Sequence, residues 1–264
     1  MTVPYIFKGN TKIKSAEVNS NFQHAEDIIA GGWIDADETW AWASSDAPTY
    51  TITVPTDATL KYQAGMRIKL THGGSVKYFI ITKVAATVLT VYGGTDYTLS
   101  NTAFTLPSYA YGKAPFGFPL DVTKWQVKIT DATDRTQAVA AAGTWYNIGT
   151  TNEQITIPIG SWIVSATASV YAQNTATTTS IKPQLALSTA NNSVSDGELH
   201  SISYIYASTT DTKRHAARLL VGKNLTLTSK TLYYLIEQNN VACNLSIRNN
   251  ADPDMIMKAV CAYL

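Results

Sequence analysis

The chain has 264 residues, with Lys+Arg 20 against Asp+Glu 19 and a formal net charge of +1, so no global field draws in a polyanion and nucleic-acid binding is disfavoured. Its length suits two domains or one large β domain, and low charge with 15 Tyr favours sheets and turns over helices. No basic-then-apolar leader and no apolar run near ~18 residues is present, which predicts neither a signal peptide nor membrane insertion.

Residues 1–33 read as a polar lead followed by a helix from about Ser15 to Ala30, with Ser15 as N-cap and Gly31–Gly32 as the stop. Val18, Phe22, Ala25 and Ile29 recur at steps of four, three and four, a narrow seam fitted either to its own domain or to copies of itself. The run Phe7-Lys8-Gly9-Asn10-Thr11-Lys12-Ile13-Lys14-Ser15-Ala16-Glu17-Val18-Asn19-Ser20-Asn21-Phe22 resembles the N-terminal segment of tailed-bacteriophage fibre and baseplate proteins. That resemblance implies attachment of the N-terminus to other phage baseplate or tail proteins, a homotrimer with the helix as an oligomer seam, and location in the virion after synthesis in the bacterial host cytoplasm.

Residues 34–106 read as a small β module, barrel or sandwich. Tyr50, Ile52 and Val54 alternate with threonines, Met66, Ile68 and Leu70 alternate with Arg67, Lys69 and Thr71, and His72-Gly73-Gly74 offers a tight turn. The segment from Glu38-Thr39-Trp40 to Tyr92-Gly93-Gly94-Thr95-Asp96-Tyr97 resembles a β module that recurs in phage tail proteins, which implies a spacer. Pro107, Pro115 and Pro119 then mark 107–119 as an extended connector.

Residues 120–264 read as a β-sandwich of eight or so strands, a jelly roll. At its heart lies 155–172: Ile155, Ile157 and Ile159 share one face, and after Gly160–Ser161 so do Trp162, Val164, Ala166, Ala168 and Val170. The two runs are expected to form a hairpin. Leu185–Leu187, Ile202–Tyr206, Ala217–Val221, Leu232–Ile236, Val241–Ile247 and Met255–Leu264 supply further strands. Thr144-Trp145, Ile157-Pro158-x-Gly160-x-Trp162 and the final apolar strand resemble the C1q/TNF-like jelly-roll heads of phage receptor-binding proteins. This implies a trimeric head that binds host cell-wall saccharide for attachment.

Cys243 and Cys261 lie on two C-terminal strands that could be neighbours in a sheet, and are expected to be buried thiols and not a disulfide or zinc pair. His24, His72, His200 and His215 are scattered, and Asp35-Ala36-Asp37-Glu38 and Asp252-Pro253-Asp254 lack the ligand count of a calcium loop. No nucleophile elbow, phosphate loop or paired-His zinc motif occurs, and no acid pair is singled out, so the expectation is a non-enzyme without cofactor or metal. For ligand contact the sequence points to Tyr204 and Tyr206 on one strand face, beside Asp211, Arg214 and His215: stacking surfaces next to charges and hydroxyls. The favoured function is carbohydrate binding by a phage receptor-binding protein. The alternative is a structural baseplate or tail-fibre component binding another virion protein.

Overall fold

A computed structural model describes residues 5–7, 9, 12–148, 153–174, 181–204, 215–247 and 255–264. It is mainly β, with one helix near the N-terminus and antiparallel sheets that do not close into a barrel. Two compact units are formed by residues 1–125 with 263–264, and by residues 126–262. Among the described residues no helix is long and apolar enough to cross a membrane.

In the first unit the helix α1 (Ser15–Gly31) ends where Gly32 takes φ 68°, as the Gly-Gly stop predicts. Its start is one residue earlier than expected: the Lys14 carbonyl accepts from the amides of Glu17 and Val18, and Glu17 Oε2 reaches back to the Lys14 amide at 3.4 Å. Lys14 therefore holds the cap position and Glu17 closes half of a capping box. The seam is wet in a single copy: Val18 and Ala25 are half-buried, while Phe22 is 65% and Ile29 81% exposed.

Seven strands follow: β1 (Ile34–Asp35), β2 (Ala41–Asp46), β3 (Thr49–Thr53), β4 (Arg67–His72), β5 (Ser75–Ala85), β6 (Val88–Tyr92) and β7 (Phe104–Ala110). They build one open sheet in the order β1-β7-β4-β5-β6-β3-β2, so this module is no barrel. Alternation does its expected work: Ile52, Ile68, Leu70, Phe79, Ile81, Leu89 and Val91 line a core with Trp40, Tyr62 and Tyr109. Gly73 and Gly74, both with positive φ, make the predicted β4–β5 turn between His72 and Ser75. β7 runs through Pro107, so the expected 107–119 connector begins inside the sheet, and the unit extends to Trp125, whose ring stacks on Phe118.

Gly94 has φ 68°, and a Cβ there would lie 2.6 Å from the Lys124 carbonyl oxygen. Gly73 has φ 60° with nothing near its missing Cβ. Gly73→Ala is expected to cost about 1–2 kcal/mol, the penalty of a left-handed alanine. Gly94→Ala adds a backbone clash to that, and a thermal melt should rank it clearly below Gly73→Ala.

The second unit holds β8 (Gln126–Asp131), β9 (Arg135–Ala140), β10 (Gln154–Ile157), β11 (Gly160–Asn174), β12 (Gln184–Ser188), β13 (His200–Ile202), β14 (His215–Leu227), β15 (Thr231–Gln238), β16 (Cys243–Ile247) and β17 (Met255–Cys261). One sheet runs β10-β15-β12-β13; the other runs β8-β17-β11-β16-β9, with β14 on the remaining edge of β11. The chain passes repeatedly between the sheets, as in a sandwich. β11 is its spine, with Trp162, Val164, Ala166, Ala168 and Val170 all buried.

The expected hairpin at 155–172 is not formed. β10 pairs with β15 in one sheet and β11 with β14, β16 and β17 in the other, so Pro158–Gly160 carries the chain between layers. Alternation fixes which side chains face inward, but not which strand lies alongside. The two cysteines are buried free thiols, as expected, yet they are not neighbours: Cys243 pairs with Asn174 and Cys261 with Trp162, at opposite ends of β11. Burial raises the Cys243 thiol above its ordinary pKa.

Candidate functional site: an amide- and aromatic-lined groove

Across the sheet of β10, β15 and β12, Gln154, Tyr234 and Ser188 stand in one cross-strand row. Beside that row, Tyr146 exchanges both backbone hydrogen bonds with Glu237, at 2.8 and 2.9 Å, extending the edge of β15 already used by β10. Asn147 locks the segment by donating from Nδ2 to the carbonyls of Glu153 (3.0 Å) and Leu235 (2.7 Å). Trp145 is set edge-on to His200, with ring centroids 5.4 Å apart, and His200 Nε2 lies 2.8 Å from Gln184 Oε1. Burial holds the His200 pKa below its ordinary value, so the ring is neutral at pH 7.

The turn after β12 forms the other wall. The buried Ser188 hydroxyl accepts from the amides of Ala190 (3.1 Å) and Ser195 (3.0 Å) and donates to the Ser193 carbonyl at 2.6 Å. One side chain thus ties the turn closed and presents Asn191 and Asn192 at its tip.

These pieces enclose a groove of about 500 Å³ lined by Trp145, Tyr146, Asn147, Gln154, Asn191, Asn192 and Tyr234. Most of its polar groups are open to a ligand. Among the described residues, the side-chain amides of Gln154, Asn191 and Asn192, the Tyr234 hydroxyl and the Trp145 indole N–H have no hydrogen-bond partner, and Asn147 keeps Oδ1 available. Amides both donate and accept, as a sugar hydroxyl does, and three aromatic rings offer apolar faces. None of the seven lining side chains is charged at neutral pH.

Behind the groove the same elements bury two acids. Glu153 shares the inward parity of Ile155 and Ile157, Glu237 that of Tyr233 and Leu235, and both are fully buried. Burial first, then the adjacent Glu153 carboxyl, pushes the Glu237 pKa well above the carboxylate range, while the Ile148 backbone amide opposes that shift. At least one proton is therefore retained by the pair near neutral pH, which avoids two bare buried charges. The acids face the core and do not line the groove.

Of the residues expected to contact ligand, only Tyr204 is described with its side chain, and it does not line the groove. Tyr204 is 65% exposed, with Lys182 Nζ 5.0 Å from its ring centroid. Tyr206, Asp211 and Arg214 lie outside the described residues, and of His215 only the backbone at the start of β14 is described. No local pattern marks the groove residues as a set, because Trp145 reads as a strand start and Asn191-Asn192 as a turn. The usable signal was the run Trp145-Tyr146-Asn147, where aromatics adjoin an amide. Among the described residues no cluster of three or more metal-ligating side chains occurs. Glu38, from the acidic 35–38 stretch, instead pairs with Lys61 at 2.8 Å and accepts from Trp40 and Tyr62.

No protein-family model matches the chain, and no curated protein matches it in sequence. Among solved structures it is similar to dimeric latent PorU from Porphyromonas gingivalis, at 10% identity and TM-score 0.31, over 85% of this chain and 24% of that one. It is also similar to the structure of the infectious bursal disease virus Gx strain, at 10% identity and TM-score 0.25, over 85% of this chain and 60% of that one. The chain spans less than two thirds of either, and likenesses this distant carry no argument about function.

Proposed function

We propose that this chain is a receptor-binding protein of a tailed-phage virion, which attaches to a neutral saccharide of the host cell surface through the groove of its second unit. The observation that carries the reading is the lining: three aromatic rings among uncharged amides, three of which have their side-chain donors and acceptors open to a ligand. That chemistry matches a pyranose, whose C–H face stacks on a ring while its hydroxyls bond to amides. The virion setting rests on the resemblance at Phe7–Phe22, and the exposed Phe22 and Ile29 support a homotrimer in which three helices bury their seams. Three weak sites on one particle component would then act through avidity.

The test is glycan-array and cell-wall binding by the full chain, with sedimentation to give its mass. Trp145→Ala and Tyr234→Ala are each expected to weaken binding about tenfold, the scale of one lost aromatic contact. Binding indifferent to both changes would remove the groove from the mechanism. Capture of another virion protein with no saccharide bound would make the chain a structural baseplate or tail-fibre component instead.

A further inference from the structure

A separate cleft of about 400 Å³ opens on the sheet of the first unit, lined by Asp35, Lys69, Thr71, Val76, Tyr78, Leu106 and Ser108. Strand register builds it: Asp35 pairs with Ser108, Ser108 with Lys69 and Lys69 with Tyr78, so four polar side chains stand in one row across β1, β7, β4 and β5. The Trp33 indole closes the row, with Lys69 Nζ 4.8 Å from its centroid and Tyr78 5.8 Å away ring to ring.

Lys69 is the unusual member. Among the described residues, the fully buried Arg67 and the other partly buried cations of this unit find oxygen acceptors: Arg67 on three carbonyls, Lys61 on Glu38, Lys77 on the Thr98 carbonyl and Lys124 on Asp96. Lys69 is half-buried too, yet among the described residues its ammonium has no hydrogen-bond acceptor, only the indole face and the field of Asp35. Burial accordingly lowers its pKa, against the opposing pull of Asp35. A partly desolvated cation without an acceptor is poised for an anionic oxygen from a ligand.

We propose that this cleft binds an acidic sugar, a hexuronate whose carboxylate pairs with Lys69 while its vicinal hydroxyls donate to Asp35. The two groups stand on strands two spacings apart, roughly 10 Å at the backbone, and the cleft of about 400 Å³ is large enough for one pyranose ring. Ser108 and Thr71 offer hydroxyls along the floor, and Tyr78 a ring face. The row explains the pairing of charge types: a simple anion needs no acceptor at Asp35, and a neutral sugar needs no cation at Lys69. This site shares no residue with the groove of the second unit and does not depend on what that groove binds.

The experiment is an NMR titration of the full chain with methyl glucuronide, with methyl glucoside and inorganic phosphate as controls. Read at the amides of β4 and β7, binding of the glucuronide is expected to fall about tenfold or more in Lys69→Met and to recover in part in Lys69→Arg, while Lys83→Met, at an exposed lysine outside the cleft, leaves it unchanged. A thermal melt of each variant separates lost binding from lost fold. At the amides lining the cleft, equal affinity for the glucoside, full competition by phosphate, no glucuronide binding, or an unaffected but folded Lys69→Met variant would each overturn the proposal, whereas glucoside shifts confined to the groove of the second unit report on that other site.

Discussion

Glu237→Gln is expected to raise the thermal midpoint at pH 7 and to flatten its dependence on pH between about 5 and 7. In the unfolded chain Glu237 titrates as an ordinary glutamate; in the fold, burial and Glu153 move its pKa far upward. Between those two values the folded state holds the extra proton, so the stability contributed by the protonated form is complete at low pH and is lost as pH rises through the window. Glutamine stays neutral and can donate to Glu153, which removes the penalty. Replacing a buried ionic group by a well-fitted neutral one stabilises by about 1–4 kcal/mol in favourable cases. Glu237→Ala should act oppositely, since it opens a void and leaves the buried Glu153 carboxyl without this partner, at about 2–5 kcal/mol. Carboxylates held low work against the pair in acid: Lys223 keeps Asp196 below its usual pKa, and that stabilisation disappears as pH falls through it. The wild type should therefore be most stable in mildly acidic buffer. A glutamine variant that melts lower than wild type at pH 7 would show that the pair is not strained there.

Arg67→Ala is expected to cost the first unit about 3–5 kcal/mol, a large share of a typical domain's stability. Its guanidinium is fully buried and donates from Nε to the Lys113 carbonyl (3.1 Å), from Nη1 to Gly65 (2.5 Å) and from Nη2 to Tyr263 (2.8 Å), with the Phe118 ring 4.9 Å away. Removing it strands three carbonyls and empties the largest polar volume in the unit. A lysine at this position cannot substitute fully, because an ammonium presents no planar fork, so Arg67→Lys should lose about half as much. Because two units need not unfold together, the measurement is amide hydrogen exchange along β4 and β7, not a global melt. Unchanged protection in Arg67→Ala would refute the assignment.

Both residues show where sequence reading ran out. In Met66–Thr71 the alternation places Ile68 and Leu70 on the core face correctly, and by the same logic assigns Arg67 to solvent. The opposite face is covered at that end, so Arg67 is buried as well. Glu237 closes TLYYLIEQ and looks like a charge at a strand end; only its pairing opposite the Tyr146 segment shows that it continues the core face. By contrast β11 was legible throughout, because small and branched residues repeat every second position over a run too long for another period to fit. What stayed hidden was pairing across distance: β10 against β15, Lys69 between Ser108 and Tyr78, and the Ser188 turn beside Trp145. No local pattern encodes those neighbours, and both candidate sites are made of them.

The clasp between Arg67 and Tyr263 also has a bearing on synthesis. On the ribosome, the seven-stranded sheet can hydrogen-bond as soon as β7 has emerged, but one acceptor for its hidden cation is a carbonyl translated nearly two hundred residues later. Until then water or a chaperone must stand in for it, and the nascent sheet stays looser than the finished one. Pulse-labelling of stalled chains should find the β4 amides gaining their last increment of protection only after residue 263 has cleared the exit tunnel.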